Sequence, residues 1–558
     1  MSDQDDPRAT SENAAGASTS PDHDAGVVDA RATDARRAGG FGSDAADGAS
    51  SAAPRPLSAW LAIALVTGTS AAVLVLEILA GRLLAPYVGV SLETFTGIIG
   101  VILAGIAVGA WAGGVAADHV DPRRLLPLLL TVGGALAIAT IPIVRVLGGT
   151  EGSGGGARIL VLTTFGFLPA ATVLSAVPPA VIKLQLLDLA STGSTVGRLS
   201  AWSTAGALFG TFFTGYVLVA AAAVTTLIVT VGILLIASGV ALAFVGRVKR
   251  TGELLGVGGL AAVALLGTAT IDSPCERQTA YYCLTVVEDP DVPEGRTLLL
   301  DDLRHSYVDL TDPTLLEFWY IRRLVDAVEV GTEGPIDIAY LGGGAFTIPR
   351  YVRATRPGSD QVIMEIDGDL VEVVEDELDF DPGDDVRILV GDGRLSLREL
   401  PSDSADVVIG DAFGSRAVPF HLATREFIEE IDEVLRADGI YAANVIDSPE
   451  EDFLTAYAAT VAEVFEHVVV IRGPQIVAGG RGNSIIVAAH EPIDVAALQD
   501  RLTNDVDPSD TPEELADPDR LVGEIVAGDA AIEAYVDGAP IITDDYAPVD
   551  QLIAGSTG

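Results

Sequence analysis

The chain has 558 residues, a formal net charge of −45 and a mean hydropathy of +0.42. A chain this acidic is rarely this apolar, so we predict an apolar membrane block joined to a very acidic soluble part. So negative a chain has little with which to neutralise phosphates, which excludes nucleic acid as an expected partner.

The basic residues are nearly all arginine, since Lys183 and Lys249 are the only lysines among the 33 basic positions. Acid-rich, lysine-poor composition is typical of proteins that work in concentrated salt. At about 1 M salt the Debye length is roughly 3 Å, so repulsion among the carboxylates is screened. We therefore expect a halophilic source, and the alternative is an acidic surface that attracts basic partners.

The chain has two cysteines, Cys275 and Cys283. Two are too few for a structural zinc site, and no histidine pair stands at metal-ligand spacing, so no metal is expected. The pair forms either a disulfide or two small, half-buried thiols, and the sequence leaves both possibilities open.

Residues 1–56 are rich in Asp, Ala, Gly, Ser and Pro and nearly lack large apolar side chains. Such a segment cannot bury enough surface to offset its ordering entropy, so a disordered acidic tail is predicted. It has no early apolar stretch and is not expected to be a signal peptide.

Residues 57–272 are predicted to form a polytopic α-helical domain that crosses the cell membrane about seven times. Each apolar stretch approaches the roughly 20 residues needed for a crossing. Small residues dominate, as in "GVILAGIAVGAWAGGVAA", and they favour close approach between helices in lipid. The stretches are 58–80, 95–117, 125–147, 158–182, 199–222, 224–245 and 254–271.

The basic residues between these stretches predict that the N-terminus is cytoplasmic. Segments on that side carry Arg36, Arg37, Arg55, Arg123, Arg124, Lys183, Arg198, Arg247, Lys249 and Arg250. The alternate loops carry only Arg82, Arg145 and Arg158. An odd number of crossings then places the C-terminal domain outside, where a disulfide could persist. One miscounted or re-entrant stretch would place it inside, so the sequence leaves the side open.

Two charged residues of the first predicted crossing, Glu77 and Arg82, stand among apolar residues in "LEILAGRLLAP". An acid at membrane depth is a functional candidate by default. The alternative is an acid near the helix end that pairs with Arg82 or with lipid headgroups.

Residues 273–335 are predicted to form a small β-rich segment followed by a helix, and residues 336–558 an α/β domain. Strands that alternate with helices favour a parallel sheet, and two late strands too close for a crossover helix predict a closing hairpin. This layout indicates an α/β methyltransferase-like (Rossmann-type) fold rather than the two equal halves of a dinucleotide-binding fold. The predicted strands of this sheet are 336–342, 361–366, 386–390, 405–411, 439–446, 467–471 and 483–490.

Gly342, Gly343 and Gly344 follow the first of these strands. Glycines at this point allow a sharp turn and a close approach of the backbone to a ligand. The dinucleotide fingerprint needs a further glycine where this chain has Phe346, which disfavours NAD.

Acidic residues stand at or just after the carboxyl ends of the next three strands: Glu365, Asp392 and Asp411. The carboxyl ends of parallel strands form one edge, where ligands bind in such sheets. At that edge Glu365 could accept hydrogen bonds from ribose hydroxyls, and Asp392 could accept one from an adenine amine. One acid at a strand end is ordinary helix capping. The ordered set with a glycine turn predicts a nucleoside site.

The stretches "YLGGGAFTIPRYV", "VIMEIDGDLVEVVEDEL", "VRILVGDGRLSLREL" and "ADVVIGDAFGSRAVPF" resemble the core of spermidine synthases, the polyamine aminopropyltransferases. "LEILAGRLLAPYVGV" is similar to the membrane half of multi-pass fused forms of that family. The resemblance implies decarboxylated S-adenosylmethionine as co-substrate, a small amine or polyamine as acceptor, and commonly a homodimer.

The resemblance also implies roles for particular residues. Cofactor binding falls on Gly342, Gly343, Gly344, Glu365, Asp392 and Gly393. The acid that takes a proton from the attacking amine falls on Asp411. His305, Tyr307 and Tyr320 fall in the region that covers the substrate pocket, and Asp544, Asp545 and Tyr546 match the family's terminal "DDYAP" element.

The chain departs from the family pattern at three positions. Ala345 replaces the aspartate of "GGGDGG", Gly414 replaces the second acid of "DSSDP", and His305 stands where the family has glutamine. The two lost acids normally hold cationic amine or aminopropyl groups, so the resemblance leaves it open whether putrescine is the acceptor. The alternatives are an S-adenosylmethionine-dependent methyltransferase and a non-catalytic sensor or transporter of polyamines or nucleosides.

Overall fold

The structure is a computed structural model of the chain. It describes residues 57–89, 92–149, 156–186, 192–245, 251–413, 418–505 and 522–553. The predicted acidic tail, 1–56, lies outside these residues, and so does Gly414.

The N-terminal part of the described chain is helical. Six helical stretches in it are long and apolar enough to cross a membrane, by length and composition, and one of these, Leu168–Gln185, consists of two shorter helices. The seventh predicted stretch falls in α10. The apolar part of this helix, Gly258–Thr270, is too short for a crossing by the same measure. The helices are α1 (Ala59–Val88), α2 (Leu92–His119), α3 (Pro122–Gly148), α4 (Gly156–Gly166), α5 (Leu168–Ser175), α6 (Val177–Gln185), α7 (Thr192–Phe213), α8 (Val219–Ala221), α9 (Val224–Val245) and α10 (Thr251–Thr270).

The fourth predicted crossing is a broken helix, made of α4, α5 and α6. Pro178 and Pro179 have no N–H, so the carbonyls of Leu174 and Ser175 receive no helical hydrogen bond from them and α5 ends there. Helix α2 packs closely against this break: a Cβ on Gly113 would lie 2.5 Å from Ala176 Cα. The small residues predicted to permit close helix contacts do so here.

The two charged residues in the second half of α1 do not pair with each other in the structure. The Glu77 Oε2 atom is buried and has no hydrogen-bond partner among the described residues. The Arg82 guanidinium donates to the backbone carbonyls of Thr279 and Tyr281, far along the chain. The alternative in which these two side chains pair is therefore not the arrangement found.

A small antiparallel sheet follows the helices, with the strand order β1-β2-β3-β4. Cys275 and Cys283 form a disulfide that links the segment before β1 to the start of β2. The sequence left open a disulfide or two thiols, and the structure has the disulfide. The elements are β1 (Arg277–Gln278), β2 (Cys283–Glu288), β3 (Gly295–Leu300), β4 (Leu303–Asp309) and then α11 (Trp319–Gly331).

The C-terminal domain is built on an eight-stranded sheet in the order β12-β10-β11-β9-β8-β5-β6-β7. Strands β5 to β9 pair in parallel, and β11 runs antiparallel to both β9 and β10. The methyltransferase-like α/β fold predicted from the sequence is confirmed. The strands are β5 (Asp337–Leu341), β6 (Asp360–Glu365), β7 (Val386–Val390), β8 (Ala405–Gly410), β9 (Leu435–Asp447), β10 (His467–Arg472), β11 (Gly482–Ala489) and β12 (Glu524–Ala527).

Strand β12 was not predicted. It has four residues, too few for an alternating pattern to stand out, and it pairs antiparallel with β10 at the sheet edge. The remaining helices are α12 (Thr347–Thr355), α13 (Gly368–Asp376), α14 (Gly393–Leu397), α15 (Arg425–Val434), α16 (Asp452–Ala462), α17 (Pro474–Val477), α18 (Val495–Thr503), α19 (Asp529–Tyr535) and α20 (Val549–Ile553).

Helices cover both faces of the large sheet. Along β5, Ile338 and Tyr340 pack on the face covered by α11, α12, α13 and α18. Ala339 and Leu341 pack on the opposite face, under α15 and α16. Both faces are thereby buried, and the carboxyl edge of the parallel strands is left for a ligand.

Candidate active site

The glycine turn after β5 is set directly against the loop after β8. Gly342 has φ +88°, and a Cβ on it would lie 2.4 Å from the Asp411 carbonyl oxygen. The Asp411 N–H donates to the Leu341 carbonyl at 2.9 Å, which fixes the two loops side by side. A side chain at 342 would separate them, so glycine is required for this contact.

A cleft opens at this edge, with an empty volume of about 580 Å³ that is partly open to solvent. Pockets of this size hold small molecules such as a nucleoside. The structure therefore brings together the glycines and the three predicted acids. The lining residues are Tyr282, Leu300, His305, Gly342, Gly343, Gly344, Met364, Glu365, Ile366, Leu370, Asp392, Gly393, Asp411, Ala412, Phe413, Pro419, His421 and Leu422.

Glu365 ends β6, and backbone groups hold both of its carboxylate oxygens. The Gly343 N–H donates to Oε2 at 2.9 Å, and the Asp367 N–H donates to Oε1 at 3.0 Å. Burial raises the Glu365 pKa above its usual value, and these two hydrogen bonds oppose the rise. Each oxygen keeps a lone pair, so the carboxylate can still accept two vicinal hydroxyls.

Asp392 caps α14 and contacts a histidine that the sequence analysis did not single out. Its Oδ1 accepts from the Leu395 N–H at 3.0 Å, and its Oδ2 lies 2.8 Å from His421 Nε2. Partial burial alone would raise the Asp392 pKa, but the hydrogen bonds from Leu395 and His421 outweigh it and lower the pKa. Asp392 is thus an anionic acceptor at the cleft.

Asp411 follows β8 and is held by two amides. The Asn444 Nδ2 atom donates to Asp411 Oδ1 at 2.8 Å, and the Asn483 Nδ2 atom donates to Asn444 Oδ1 at 2.9 Å. Desolvation raises the Asp411 pKa to about 6, and the hydrogen bond from Asn444 opposes the rise. The group is a carboxylate at neutral pH, yet it is more basic than an exposed aspartate.

The three residues expected to cover the substrate pocket have different positions. His305 lines the cleft, and burial lowers its pKa to about 4, so its imidazole is neutral at pH 7. Tyr320 does not line the cleft, but its hydroxyl donates to the His305 carbonyl at 3.0 Å. Tyr307 is turned away: its hydroxyl lies over Gly295, next to Asp289, because β4 pairs with β3. The structure does not bring Tyr307 to the site.

Of the three positions where the chain departs from the family pattern, Ala345 is closed and apolar, His305 lines the cleft, and Gly414 lies outside the described residues. Ala345 is buried, and its N–H donates to Ser306 Oγ at 3.2 Å. Phe346, with φ +57°, is fully buried and packs edge-on against Phe380. Among the described residues that line the cleft, three are acids and none is Lys or Arg.

The terminal "DDYAP" element lies beside the site rather than in it. Both carboxylate oxygens of Asp544 accept from Arg394, which follows Gly393, and Thr424 also donates to Asp544. Tyr546 is largely exposed. Through Asp544, this element holds Arg394 and so fixes the start of α14.

No protein-family model matches the sequence. A relative from Pyrobaculum arsenaticum named polyamine aminopropyltransferase is 32% identical over 207 residues, which is 34% of this chain and 68% of the relative. The chain belongs to the polyamine aminopropyltransferase family. Family members from Vibrio vulnificus and Pyrobaculum aerophilum are 28% and 31% identical. The chain spans about half the length of these two relatives, 50% and 57%.

The solved structures to which the chain is similar include two named as a spermidine synthase or a probable one. A probable spermidine synthase from Corynebacterium glutamicum is 24% identical, with a TM-score of 0.43 over 48% of this chain and 95% of that chain. Spermidine synthase from Thermotoga maritima is 16% identical, with a TM-score of 0.33 over 45% of this chain and 83% of that chain. Both likenesses cover less than half of this chain.

Four residues at or behind this cleft were not predicted from the sequence. Asn444 is buried in the apolar end of strand β9, and because buried amides need partners, this single asparagine was the available signal. Asn483 is partly buried near the start of β11, beside Gly482 and Ser484, and no pattern marks it. His421 and Tyr282 lie in connecting segments whose course only the fold determines.

Proposed function

We propose that the protein transfers an aminopropyl group from decarboxylated S-adenosylmethionine to an amine. The observation that carries this proposal is one cleft in which the glycine turn, Glu365 and Asp392 stand beside a carboxylate of raised pKa, Asp411. Membership in the polyamine aminopropyltransferase family supports the same reaction. In it, Glu365 would bind the ribose hydroxyls and Asp392 the adenine amine.

The reaction needs a base. The amine nitrogen forms a bond to the carbon beside the sulfonium, the carbon–sulfur bond breaks, and the nitrogen gives up a proton. An ammonium has no free electron pair and cannot attack until a proton is removed. Asp411, ionised at neutral pH and fixed by Asn444, is suited to accept that proton.

The charge of the cleft favours the decarboxylated nucleoside over S-adenosylmethionine itself. The methionine carboxylate would enter a cleft with three acids, a neutral His305 and no described Lys or Arg in its lining. Like charges placed together without a cation disfavour binding. The same charge balance speaks against the methyltransferase alternative.

Calorimetry on the purified full chain tests the proposal. We expect decarboxylated S-adenosylmethionine to bind at least about tenfold more tightly than S-adenosylmethionine, a difference of about 1.4 kcal/mol. The reverse order would support methyl transfer, and binding of polyamine without either nucleoside would support a sensor or transporter. We also propose that the protein is adapted to concentrated salt, so the titrations use about 2 M KCl. A higher unfolding temperature in low salt than in concentrated salt would contradict that adaptation.

We further propose that the helical block crosses the membrane seven times, with α4 to α6 as one broken crossing and α10 as the last. Contacts between helix ends support two opposite faces. At one face, the Gln185 side chain donates to the Leu57 carbonyl, and Lys183 forms an ion pair with Asp118. The other joins Arg145 at the end of α3 to the carbonyls of Thr268 and Ile271 at the end of α10.

On this proposal the transferase domain faces away from the cytoplasm. The face with Lys183 has most of the basic residues between helices, and the positive-inside rule makes that face cytoplasmic. The Cys275–Cys283 disulfide in the domain fits an oxidising exterior. Both substrates would then meet the site outside, so the nucleoside must be released or exported from the cell.

Intact cells that express the full chain test this orientation. Free thiols are blocked with N-ethylmaleimide, the cells are treated with a membrane-impermeant phosphine, and the denatured protein is labelled with PEG-maleimide. We expect two added PEG groups without permeabilisation, because the disulfide is reached from outside. Labelling that requires permeabilised cells would place the domain inside, and permeabilised cells serve as the positive control.

A further inference from the structure

Arg82 lies in the last part of membrane helix α1, yet its hydrogen bonds go to the transferase domain. Its guanidinium donates to the Thr279 carbonyl at 2.9 Å and to the Tyr281 carbonyl. The planar fork of an arginine suits two neighbouring acceptors, and a charged donor makes each bond stronger. The turn of residues 279–282, between β1 and β2, is thus held from the membrane side.

This turn is rigid within itself. The Thr279 N–H donates to the Tyr282 carbonyl at 3.0 Å. The Thr279 Oγ1 atom accepts from the Tyr281 N–H at 3.0 Å and from the Tyr282 N–H at 2.9 Å. A displacement of the two carbonyls bound by Arg82 would therefore displace the whole turn.

The turn contacts the cleft at two places. The Tyr282 ring lines the cleft, and its hydroxyl donates to the Phe413 carbonyl at 2.8 Å, two residues after Asp411. Thr279 Oγ1 donates to Asp367 Oδ2, and the Asp367 N–H donates to Glu365. The turn thus reaches both the loop that has the proposed base and the carboxylate proposed to bind ribose.

We propose that Arg82 is a positioning residue of the transferase site, so that membrane helix α1 completes the active site of the soluble domain. This inference rests on the proposed function for its kinetic consequence, but its structural consequence can be measured without substrate. It gives the membrane block a role beyond anchoring, because the nucleoside-binding geometry depends on a side chain of the first helix.

Arg145 provides a matched control. It also lies near the end of a long apolar helix and also donates to two backbone carbonyls, those of Thr268 and Ile271. These carbonyls belong to the end of α10 and not to the turn of residues 279–282. Arg145→Gln therefore removes the same kind of contact and leaves intact the contacts that connect Arg82, through the turn of residues 279–282, to the cleft. We call these contacts the relay.

The first experiment measures hydrogen exchange on the full chain in detergent. We expect Arg82→Gln to speed exchange at the backbone amides of 279–282, 365–367 and 411–413, and Arg145→Gln to leave these segments unchanged. Equal effects of the two variants, or no change at 365–367 and 411–413 in Arg82→Gln, would overturn the inference. Because no ligand is needed, this result stands apart from the fate of the proposed reaction.

The second experiment measures nucleoside binding and turnover. Arg82→Gln is expected to raise both the Kd and the KM for decarboxylated S-adenosylmethionine on the order of tenfold, with Arg145→Gln within about twofold of the parent. Thr279→Val, which cuts the bond to Asp367, should reproduce the increase. The double variant Arg82→Gln/Thr279→Val should be no worse than the single variants, because both act through one relay. Additive effects would contradict the relay.

Discussion

Replacing Asp411 with asparagine is expected to lower kcat by about 10²- to 10⁴-fold while the nucleoside Kd stays within a fewfold of the parent. The new amide has the shape of the carboxylate and its oxygen can still accept from Asn444, but it cannot take a proton. Initial rates with an amine acceptor and calorimetry with decarboxylated S-adenosylmethionine measure the two quantities separately. The contacts that would hold the nucleoside, at Glu365 and Asp392, are left in place.

A matched control is Asp432→Asn. Asp432 pairs with His490 at 2.8 Å and does not line the cleft, so its loss should change neither kcat nor Kd by more than about twofold. If Asp411→Asn weakens nucleoside binding as much as it slows turnover, Asp411 acts in binding and not as the base.

The same residue predicts the pH dependence of the reaction. The Asp411 pKa is raised to about 6, so below that pH the group is protonated and cannot accept the amine proton. As the pH rises through about 6 the carboxylate forms and kcat increases. Asn444→Ala removes a hydrogen bond that lowers this pKa, so the rising limb should move to higher pH. A limb that persists unchanged in Asp411→Asn would assign it to another group.

The second large effect is expected from Glu365→Gln. Both carboxylate oxygens accept a backbone N–H, from Gly343 and from Asp367, and a glutamine must turn its NH₂ group towards one of these donors. We expect the affinity for the nucleoside to fall about 100-fold, close to 2.7 kcal/mol, because one buried donor loses its acceptor and a ribose acceptor is lost. At saturating nucleoside, kcat should stay within about threefold.

The control for this variant is Glu372→Gln on α13. Glu372 is exposed and forms a weak pair with Arg277 at 3.6 Å, so its substitution should leave the affinity unchanged. Thermal unfolding of both variants separates a local effect from a loss of fold. An unchanged nucleoside Kd in a folded Glu365→Gln variant would remove Glu365 from the ribose role.

Much of the fold followed from the sequence because its patterns are local. Alternating strands and helices, two late strands without room for a crossover, and the glycine turn after β5 predicted the α/β sheet, and the apolar runs predicted the long helices. The acids at 365, 392 and 411 were predicted for the same reason: each stands at or just after the end of an apolar strand, and parallel strands end at one edge.

The tertiary structure decided what depends on contacts between distant parts of the chain. The pairing of Asn444 and Asn483 behind Asp411 joins strands β9 and β11, and His421 reaches Asp392 from a separate loop. Tyr307 was predicted at the pocket, but the pairing of β3 with β4 turns its hydroxyl to Asp289. From the sequence, Arg82 was a charged residue in a predicted membrane helix, and only the fold shows that it binds the turn of residues 279–282. The sequence determined which side chains lie at the carboxyl edge of the sheet, because the periodicity that marks a strand is local. The partners that fix those side chains are set by packing between segments far apart in the chain, which only the tertiary structure decides.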